Sequence, residues 1–248
     1  MNFFDQLVNA YTFDNVSLLV VSAITFAFGF WEYIYSFRLV FREHTSPFPI
    51  WMHTFYIAHD STFAVLFFIE ASKRNWNWFC LAVSIALVVW NAFEFVCVYY
   101  AIKYEREEIF GGYVAGKVTE RKALFLIIAQ TMAMYGIVWM IIMYVGKGCF
   151  FQWACVTNMV MAAGPTTLWM KRRDRRGMSI GLALVILAGT INKFLPWSMF
   201  ATVFPEVFRH PTYYITGIIF IAIAVSNVII VKSKPAKSYS GSGKKPIW

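Results

Sequence analysis

The sequence contains few charged residues. Only 14% of its 248 residues are charged, whereas 59% are hydrophobic, and the mean hydropathy is +0.58. An ordinary soluble domain has about 25% charged residues, so this composition excludes that class of protein. Stretches of about 20 apolar residues, long enough to cross a bilayer, recur along the chain. The composition therefore predicts an all-α integral membrane protein that has the lipid bilayer as its first partner.

Seven of these stretches are long enough to be transmembrane helices. They predict one seven-helix membrane domain over residues 1–231, followed by a basic, disordered tail over residues 232–248. If the N-terminus lies outside, most of the 22 lysine and arginine residues fall on the cytoplasmic side, together with the C-terminus. The predicted spans are residues 17–37, 48–71, 77–102, 123–145, 149–170, 178–197 and 212–231.

The same charge distribution explains the basic composition. The net charge of +9 follows from the orientation of the spans, so nucleic acid is not needed as a partner. The host membrane would be the endoplasmic reticulum in a fungus or the cytoplasmic membrane in a bacterium. The sequence alone leaves these two compartments open.

Cysteine is also scarce. The four cysteines show neither a CxxC pair nor the spacing of a zinc site, so the sequence offers no metal site and no cofactor. Cys80 and Cys149 both fall near the predicted outer face and could form a disulfide. Small buried thiols are the simpler interpretation of both residues.

Two charges, Asp60 and Lys193, lie deep inside apolar stretches. A charge near the bilayer centre costs roughly 2.5–3.5 kcal/mol on insertion scales, so each marks a candidate site. The spacing from Ser46 to Asp60 equals that from Ser179 to Lys193, and each serine follows a basic loop. This pattern suggests parallel three-helix repeats, spans 1–3 and 5–7, around span 4. The two charges either form a structural ion pair or line a polar cavity.

Two histidines and a second acid accompany Asp60. His53, Tyr56 and Asp60 are spaced so that they share one face of a helix, and His59 lies directly beside them in the sequence. Glu94 is a carboxyl in the inner half of the third predicted span, one turn after Trp90. Because such groups can hold and transfer protons, the candidate catalytic residues are Asp60, His53, His59 and Glu94.

Aromatic residues are abundant, at 19% of the chain. Membrane-interface belts account for many of them, such as Trp76, Trp78, Trp153 and Trp169. Aromatic rings deep within the spans suit a pocket that stabilises cations, although packing between helices explains them equally well. The candidate ligand-binding residues combine such rings with polar groups of the fifth and sixth spans: Trp31, Tyr35, Tyr56, Trp90, Tyr135, Asn158, Asn192 and Lys193.

Three segments together resemble a known family. They are Trp31-x-Tyr33 through Arg38 to Thr45 and Pro49; Asp60, which follows Pro49; and the stretch from Asn158 to Lys193 with Arg173, Arg176-Gly177-x-Ser179 and Gly189-Thr190. The sequence resembles, at low identity, the small seven-span membrane-bound terpene cyclases of fungal meroterpenoid and indole-diterpene pathways. In that family a catalytic acid, usually glutamate, stands where this sequence has Asp60.

The sequence departs from the family at two places. His59 stands where the family has a tryptophan before the acid, and the asparagine of the same motif is not reproduced. The second acid, in the last span, has no counterpart, since that span offers only Ser226 and Asn227. If the resemblance extends to chemistry, protonation depends on Asp60 alone.

Two functions follow as hypotheses. The resemblance implies a metal-independent enzyme that cyclises or isomerises a prenylated, lipophilic substrate, with Asp60 as general acid beside His53 or His59. The absence of a DDxxD aspartate cluster excludes ordinary diphosphate-ionising terpene chemistry. The alternative is a transporter of small solutes with a 3+1+3 architecture, in which Asp60 and Lys193 form a midplane site. A homo-oligomer is compatible with either hypothesis.

Overall fold

The computed structural model describes residues 3–237 and 246–248, and within these ranges the chain is helical and contains no strand. A π-helical turn, Ala101–Glu105, joins α4 to α5. The α-helices are α1 (Phe3–Ala10), α2 (Val16–Glu43), α3 (Ile50–Lys73), α4 (Trp78–Tyr100), α5 (Arg106–Phe110), α6 (Glu120–Val145), α7 (Phe150–Lys171), α8 (Ile180–Lys193), α9 (Met199–Val203), α10 (Pro205–Phe208) and α11 (Pro211–Ser233).

Each predicted span overlaps one of these helices: α2, α3, α4, α6, α7, α8 and α11. Among the described residues, four helical segments are long and apolar enough to cross a membrane, namely α2, the continuous segment Trp78–Phe110, α6 and α11. The all-α prediction is therefore confirmed for the described residues, and the long apolar helices are compatible with an integral membrane protein.

The sixth predicted span, residues 178–197, differs most from its prediction. Its helix, α8, has only 14 residues and ends at Lys193. At 1.5 Å per residue this helix is about 21 Å long, which is shorter than a hydrocarbon core of about 30 Å. Pro196 explains where it ends, because a proline disfavours the helical conformation of the residue before it. Lys193 is therefore the last residue of a helix, whereas Asp60 lies in the middle of α3.

The described chain divides into two compact units. The first comprises Met1–Val16 and Ile50–Ala154, and the second comprises Ser17–Pro49 and Cys155–Trp248. The units do not coincide with the predicted three-helix repeats, because α3 and α4 belong to the first unit whereas α2 belongs to the second.

In the first unit, α3 packs against both α4 and α6. Most of its 24 residues are buried, and from residue 50 to residue 64 none is exposed. One face of its C-terminal half is open, because Val65, Phe68 and Ile69 are 59%, 50% and 40% exposed. The N-terminal part of α3, which holds its buried ionisable residues, therefore lies inside the bundle. The short α1 packs on the same unit: Phe4 contacts the ring of Phe67 at 5.3 Å, and Asp5 forms an ion pair with Arg74 at 2.6 Å.

In the second unit, polar side chains join helices that are far apart in sequence. Asn227 of α11 donates to the carbonyl of Ala162 at 2.7 Å and accepts from the Thr166 hydroxyl at 2.8 Å, so it fixes α11 against α7. Of the predicted disordered tail, residues 232–233 belong to α11 and residues 238–245 lie outside the described residues. Ile247 is buried, and the Trp248 carbonyl accepts from the Gly181 amide at 3.2 Å.

The basic loop between α7 and α8 is tightly packed within the second unit. The buried Arg172 guanidinium donates to the Ser46 carbonyl at 2.8 Å, and the Gly177 amide donates to a Glu43 carboxylate oxygen at 2.8 Å. Gly177 has a φ of +66°, in the left-handed region that favours glycine. A Cβ atom there would also overlap Arg172 and lie 2.7 Å from a Thr45 methyl carbon.

We predict that Gly177→Ala lowers the thermal stability of the protein. Gly116→Ala is the matched control, because Gly116 also has a positive φ, of +72°, but has no neighbouring atom within 4 Å of the new Cβ. The control should lose about 1–2 kcal/mol from backbone strain. Gly177→Ala should lose about 1–3 kcal/mol more from overpacking. Thermal unfolding of both purified variants measures this difference, and equal midpoints would contradict the packing argument.

Candidate functional site

The candidate site lies in the first unit, along the central helix α3. His53, His59 and Asp60 are all buried there, and Glu94 is buried on the facing helix α4. These are the four residues for which the sequence predicted a catalytic role. The fold brings them together in one unit because α3 and α4 pack along their length.

His53 and Glu94 form the first of two histidine–carboxyl pairs. Nδ1 of His53 lies 2.5 Å from Oε2 of Glu94, and the two side chains are only 1% and 2% exposed. A buried charge without a partner is costly, whereas a histidine and a carboxyl can share a proton. The pair therefore joins α3 to α4 and places two groups that are able to exchange a proton inside the apolar bundle.

His59 and Asp60 form the second pair. Nδ1 of His59 lies 2.7 Å from Oδ1 of Asp60, with both side chains buried. The Glu94 carboxyl also acts electrostatically on Asp60, so the two pairs influence each other. The resulting cluster contains two carboxyls and two imidazoles, groups that suit general acid–base chemistry.

Further hydrogen bonds surround this cluster. The carbonyl of Ile57, on α3, accepts from the Asn91 side chain of α4 at 3.0 Å and from the Ser61 hydroxyl at 2.7 Å. The Ser61 hydroxyl also lies 2.5 Å from the Tyr135 hydroxyl of α6. Polar contacts therefore link all three helices of the bundle, and Tyr135 belongs to them.

Aromatic rings enclose His59. Four ring centroids lie within 6.2 Å of the imidazole centroid: Phe63 at 4.9 Å, Trp153 at 5.7 Å, Phe55 at 6.0 Å and Phe150 at 6.2 Å. The sequence interpretation of Trp153 and Trp169 as interface residues is wrong, because Trp153 is 2% exposed and Trp169 is 0% exposed. Trp169 instead donates to the Pro47 carbonyl at 2.7 Å. The surroundings of His59 are therefore apolar and aromatic.

The other predicted ligand-binding residues of this unit occupy different environments. Tyr56 is buried, and its ring lies 5.3 Å from that of Phe55. Trp90 is half-buried on α4, one turn before Glu94. Among the candidates of the first unit, Tyr56, Trp90 and Tyr135 therefore supply the aromatic residues that accompany the two pairs.

The remaining candidates lie in the second unit. Lys193 is half-buried and interacts electrostatically with the buried Glu32 of α2. Its backbone carbonyl accepts from the Tyr213 hydroxyl at 2.5 Å, and Asn192 donates to the Thr25 hydroxyl at 2.8 Å. The environment of Lys193 therefore includes the carboxyl group of Glu32.

Three more predicted residues belong to this second set. Trp31 is 52% exposed on α2 and so faces outward from the protein. Tyr35 is half-buried and lies close to Gly181, while Asn158 is buried on α7. The eight predicted ligand-binding residues are therefore distributed over both units and do not form one group within either.

Metal chemistry has no visible site in the described ranges. Residues 3–237 and 246–248 contain no group of three or more His, Cys, Asp or Glu side chains that could hold a metal ion. Cys80 and Cys149 are buried free thiols, so the disulfide between them is not formed. What the site offers chemically is proton transfer.

The chain was compared with protein-family models, with curated proteins and with solved structures. No match was found in any of the three comparisons.

We predict that Glu94→Gln destabilises the protein because it removes the carboxylate that pairs with His53. A hydrogen bond to a charged group contributes about 1.5–3 kcal/mol, so a loss of that size is expected. Glu120→Gln is the control, since Glu120 is 67% exposed and its Arg106 contact is 3.8 Å long. The control should change stability by less than about 0.5 kcal/mol.

A double-mutant cycle isolates the His53–Glu94 interaction. The variant carrying both His53→Leu and Glu94→Leu should lose less stability than the two single variants added together. We expect a coupling of about 0.5–3 kcal/mol, because the two side chains are in direct contact and each single change removes that contact. Strict additivity in thermal or chemical unfolding would show that the two side chains do not stabilise each other.

Proposed function

We propose that this chain is a membrane-embedded enzyme that starts the cyclisation or isomerisation of a prenylated, lipophilic substrate by protonation. The observation that carries the proposal is the cluster of two buried histidine–carboxyl pairs beside an aromatic wall. The residues that resemble the membrane-bound terpene cyclases include Asp60, a member of this cluster. The chemistry requires a proton donor in a site without water. The buried carboxyl groups can supply the proton, and the surrounding aromatic rings exclude water.

In the proposed mechanism Asp60 donates a proton to one carbon of a substrate double bond. The π electrons form the new C–H bond, and a positive charge develops on the neighbouring carbon. Attack by a second double bond closes a ring and moves the positive charge to a further carbon, and loss of a proton from a neighbouring carbon then gives the cyclic alkene. Loss of a different proton directly from the first cation gives an isomer. In both cases a basic group of the cluster takes up the lost proton, so that the cluster ends with as many protons as it had at the start. His59 holds the Asp60 carboxyl in place, and the His53–Glu94 pair is a store from which the proton can be replaced.

Aromatic side chains have a defined part in this scheme. The faces of tyrosine and tryptophan rings stabilise cations, and more strongly where water is excluded. Tyr56, Trp90 and Tyr135 lie in the same unit as Asp60 and are assigned to this role.

A solute carrier is the second candidate function. The observation that favours it is the end of α8 at Lys193, inside an apolar stretch predicted to cross the membrane. Carriers often build a midplane binding site at a discontinuous helix, where free backbone carbonyls can bind an ion. In this case Lys193 and Glu32 would be the coupling or binding groups, and Asp60 would carry a proton.

We further propose that α2, α3, α4, α6, α7 and α11 cross the membrane, together with the apolar segment 178–197 that contains the shorter α8, with the N-terminus outside and the C-terminus in the cytoplasm. The four long apolar segments support spanning, and the placement of lysine and arginine supports the orientation. Burial of α3 inside its unit explains how its polar side chains can lie at membrane depth.

Identification of the co-purifying molecule separates the two functions. The full-length protein, purified in mild detergent, would be analysed by native mass spectrometry and by lipidomics of its extract. We expect a prenylated lipid at a stoichiometry close to that of the protein. A polar solute in its place would overturn the enzyme proposal and favour the carrier.

With that molecule as substrate, we predict that Asp60→Asn lowers turnover by about 10²–10⁴-fold, the usual contribution of a general acid. Asp14→Asn is the control, because Asp14 is exposed in the same unit. Product formation would be followed by mass spectrometry, with thermal unfolding to verify that both variants fold. Unchanged turnover in Asp60→Asn would remove Asp60 from the mechanism.

We predict the orientation from single-cysteine labelling in sealed vesicles. All four native cysteines are buried, so they should react little with a membrane-impermeant maleimide. Cysteines replacing Lys117 or Arg173 should react only from the cytoplasmic side, whereas one replacing Lys147 should react only from outside. Each of these three positions is exposed. Only α6 separates positions 117 and 147. Labelling of both positions from the same side would therefore contradict the proposal that α6 crosses the membrane.

A further inference from the structure

Three buried polar atoms near Asp60 have no hydrogen-bond partner within the described part of the chain. They are Nε2 of His59, Oγ1 of Thr62 and Nε1 of Trp153. Their side chains are 2%, 6% and 2% exposed, respectively. Burying a polar group without a partner costs about 1–3 kcal/mol, so three such atoms together are unusual in a protein interior.

The three side chains lie close together in the first unit. Thr62 follows His59 by three residues on α3, so both project from one face of the helix. The Trp153 ring lies 5.7 Å from the His59 ring, at an angle of 61°. Phe63 and Phe150 add apolar surface beside His59. The same region of the first unit therefore combines three polar groups that lack a partner among the described residues with several aromatic rings.

The hydrogen-bonding capacities of these atoms define the group that they can bind. The indole N–H of Trp153 only donates, whereas the Thr62 hydroxyl donates and accepts. Since Nδ1 of His59 is engaged by Asp60, Nε2 either accepts or donates according to the protonation of that pair. A hydroxyl group matches both states, because it can donate to Nε2 or accept from it. An ether oxygen matches only the protonated state, and a hydrocarbon matches neither.

We propose that the first unit binds a lipophilic alcohol, whose hydroxyl group is hydrogen-bonded by His59 Nε2, Thr62 Oγ1 and Trp153 Nε1 and whose carbon chain lies against the neighbouring phenylalanine rings. The site is a binding site and does not depend on the reaction proposed above. An enzyme would use it to orient its substrate, and a carrier would use it to recognise its cargo.

The test compares three probes that share one carbon chain: farnesol, farnesyl methyl ether and farnesene. Dissociation constants would be measured by calorimetry with the full-length protein in nanodiscs, with empty nanodiscs subtracted. We expect farnesol to bind about tenfold more tightly than farnesene, the difference that a hydrogen bond of about 1.4 kcal/mol produces. Equal affinities for farnesol and farnesene would overturn the proposal.

Two conservative variants locate the site. Trp153→Phe removes the indole N–H but keeps an aromatic ring, and Thr62→Val removes the hydroxyl but keeps the branched shape. Each should lower the farnesol-to-farnesene preference by about two- to tenfold, because farnesol loses a hydrogen bond that farnesene does not make. Trp76→Phe is the matched control, since Trp76 is 56% exposed in the same unit, and it should keep the full preference. A full preference in both site variants would overturn the assignment.

A measurement on the unaltered protein covers the case in which a variant fails to fold. In ¹⁵N-indole-labelled protein, farnesol should shift the N–H resonance of Trp153 downfield, whereas farnesene should not. The resonance is assigned by its absence in Trp153→Phe or, if that variant does not fold, in Trp153→Tyr. If the indole resonances do not respond to farnesol, the proposal fails even where an enzyme or carrier activity is found.

Discussion

The burial of ionisable side chains along α3 is the constraint on which the first unit depends. A helix that contains His53, His59 and Asp60 cannot enter an apolar bundle unless each of these groups has a partner. Glu94 of α4 is the partner of His53, and His59 and Asp60, both on α3, are the partners of each other. Because the His53–Glu94 contact joins two helices, it also determines how α3 slides and rotates against α4. Aromatic packing then fills the space that remains around these fixed contacts.

The positions of the long helices followed from the sequence because hydropathy averages over about 20 residues and tolerates local exceptions. The same averaging explains the error at the sixth predicted span. Residues 178–197 are apolar throughout, yet α8 ends at Lys193, and the signal for that end was the single Pro196. The division into two units was not predictable, since it depends on which helices pack together. Hydropathy gives the length of a helix but not its neighbours.

The candidate site was predictable in its residues and not in its contacts. The cost of burying a charge in an apolar stretch is enough to single out Asp60 and Glu94 individually. The pairing of Glu94 with His53 depends on the relative rotation of two helices, which no spacing within one helix can give. Trp153 was missed for a similar reason. A tryptophan near the end of a predicted span resembles an interface residue, and only its packing against His59 distinguishes it.

Asp60 and Lys193 have equal spacings from their serines, but the structure gives them different surroundings. Ser179 caps α8 by accepting from the Leu182 amide, and Lys193 ends the same helix, where a cation is favoured by the helix dipole. Asp60 lies in mid-helix and is hydrogen-bonded to a titratable neighbour, His59. A lysine as its only partner would keep the carboxyl ionised, whereas a histidine can accept its proton and return it. The partner of Asp60 is therefore what makes proton transfer the chemistry that this cluster can perform.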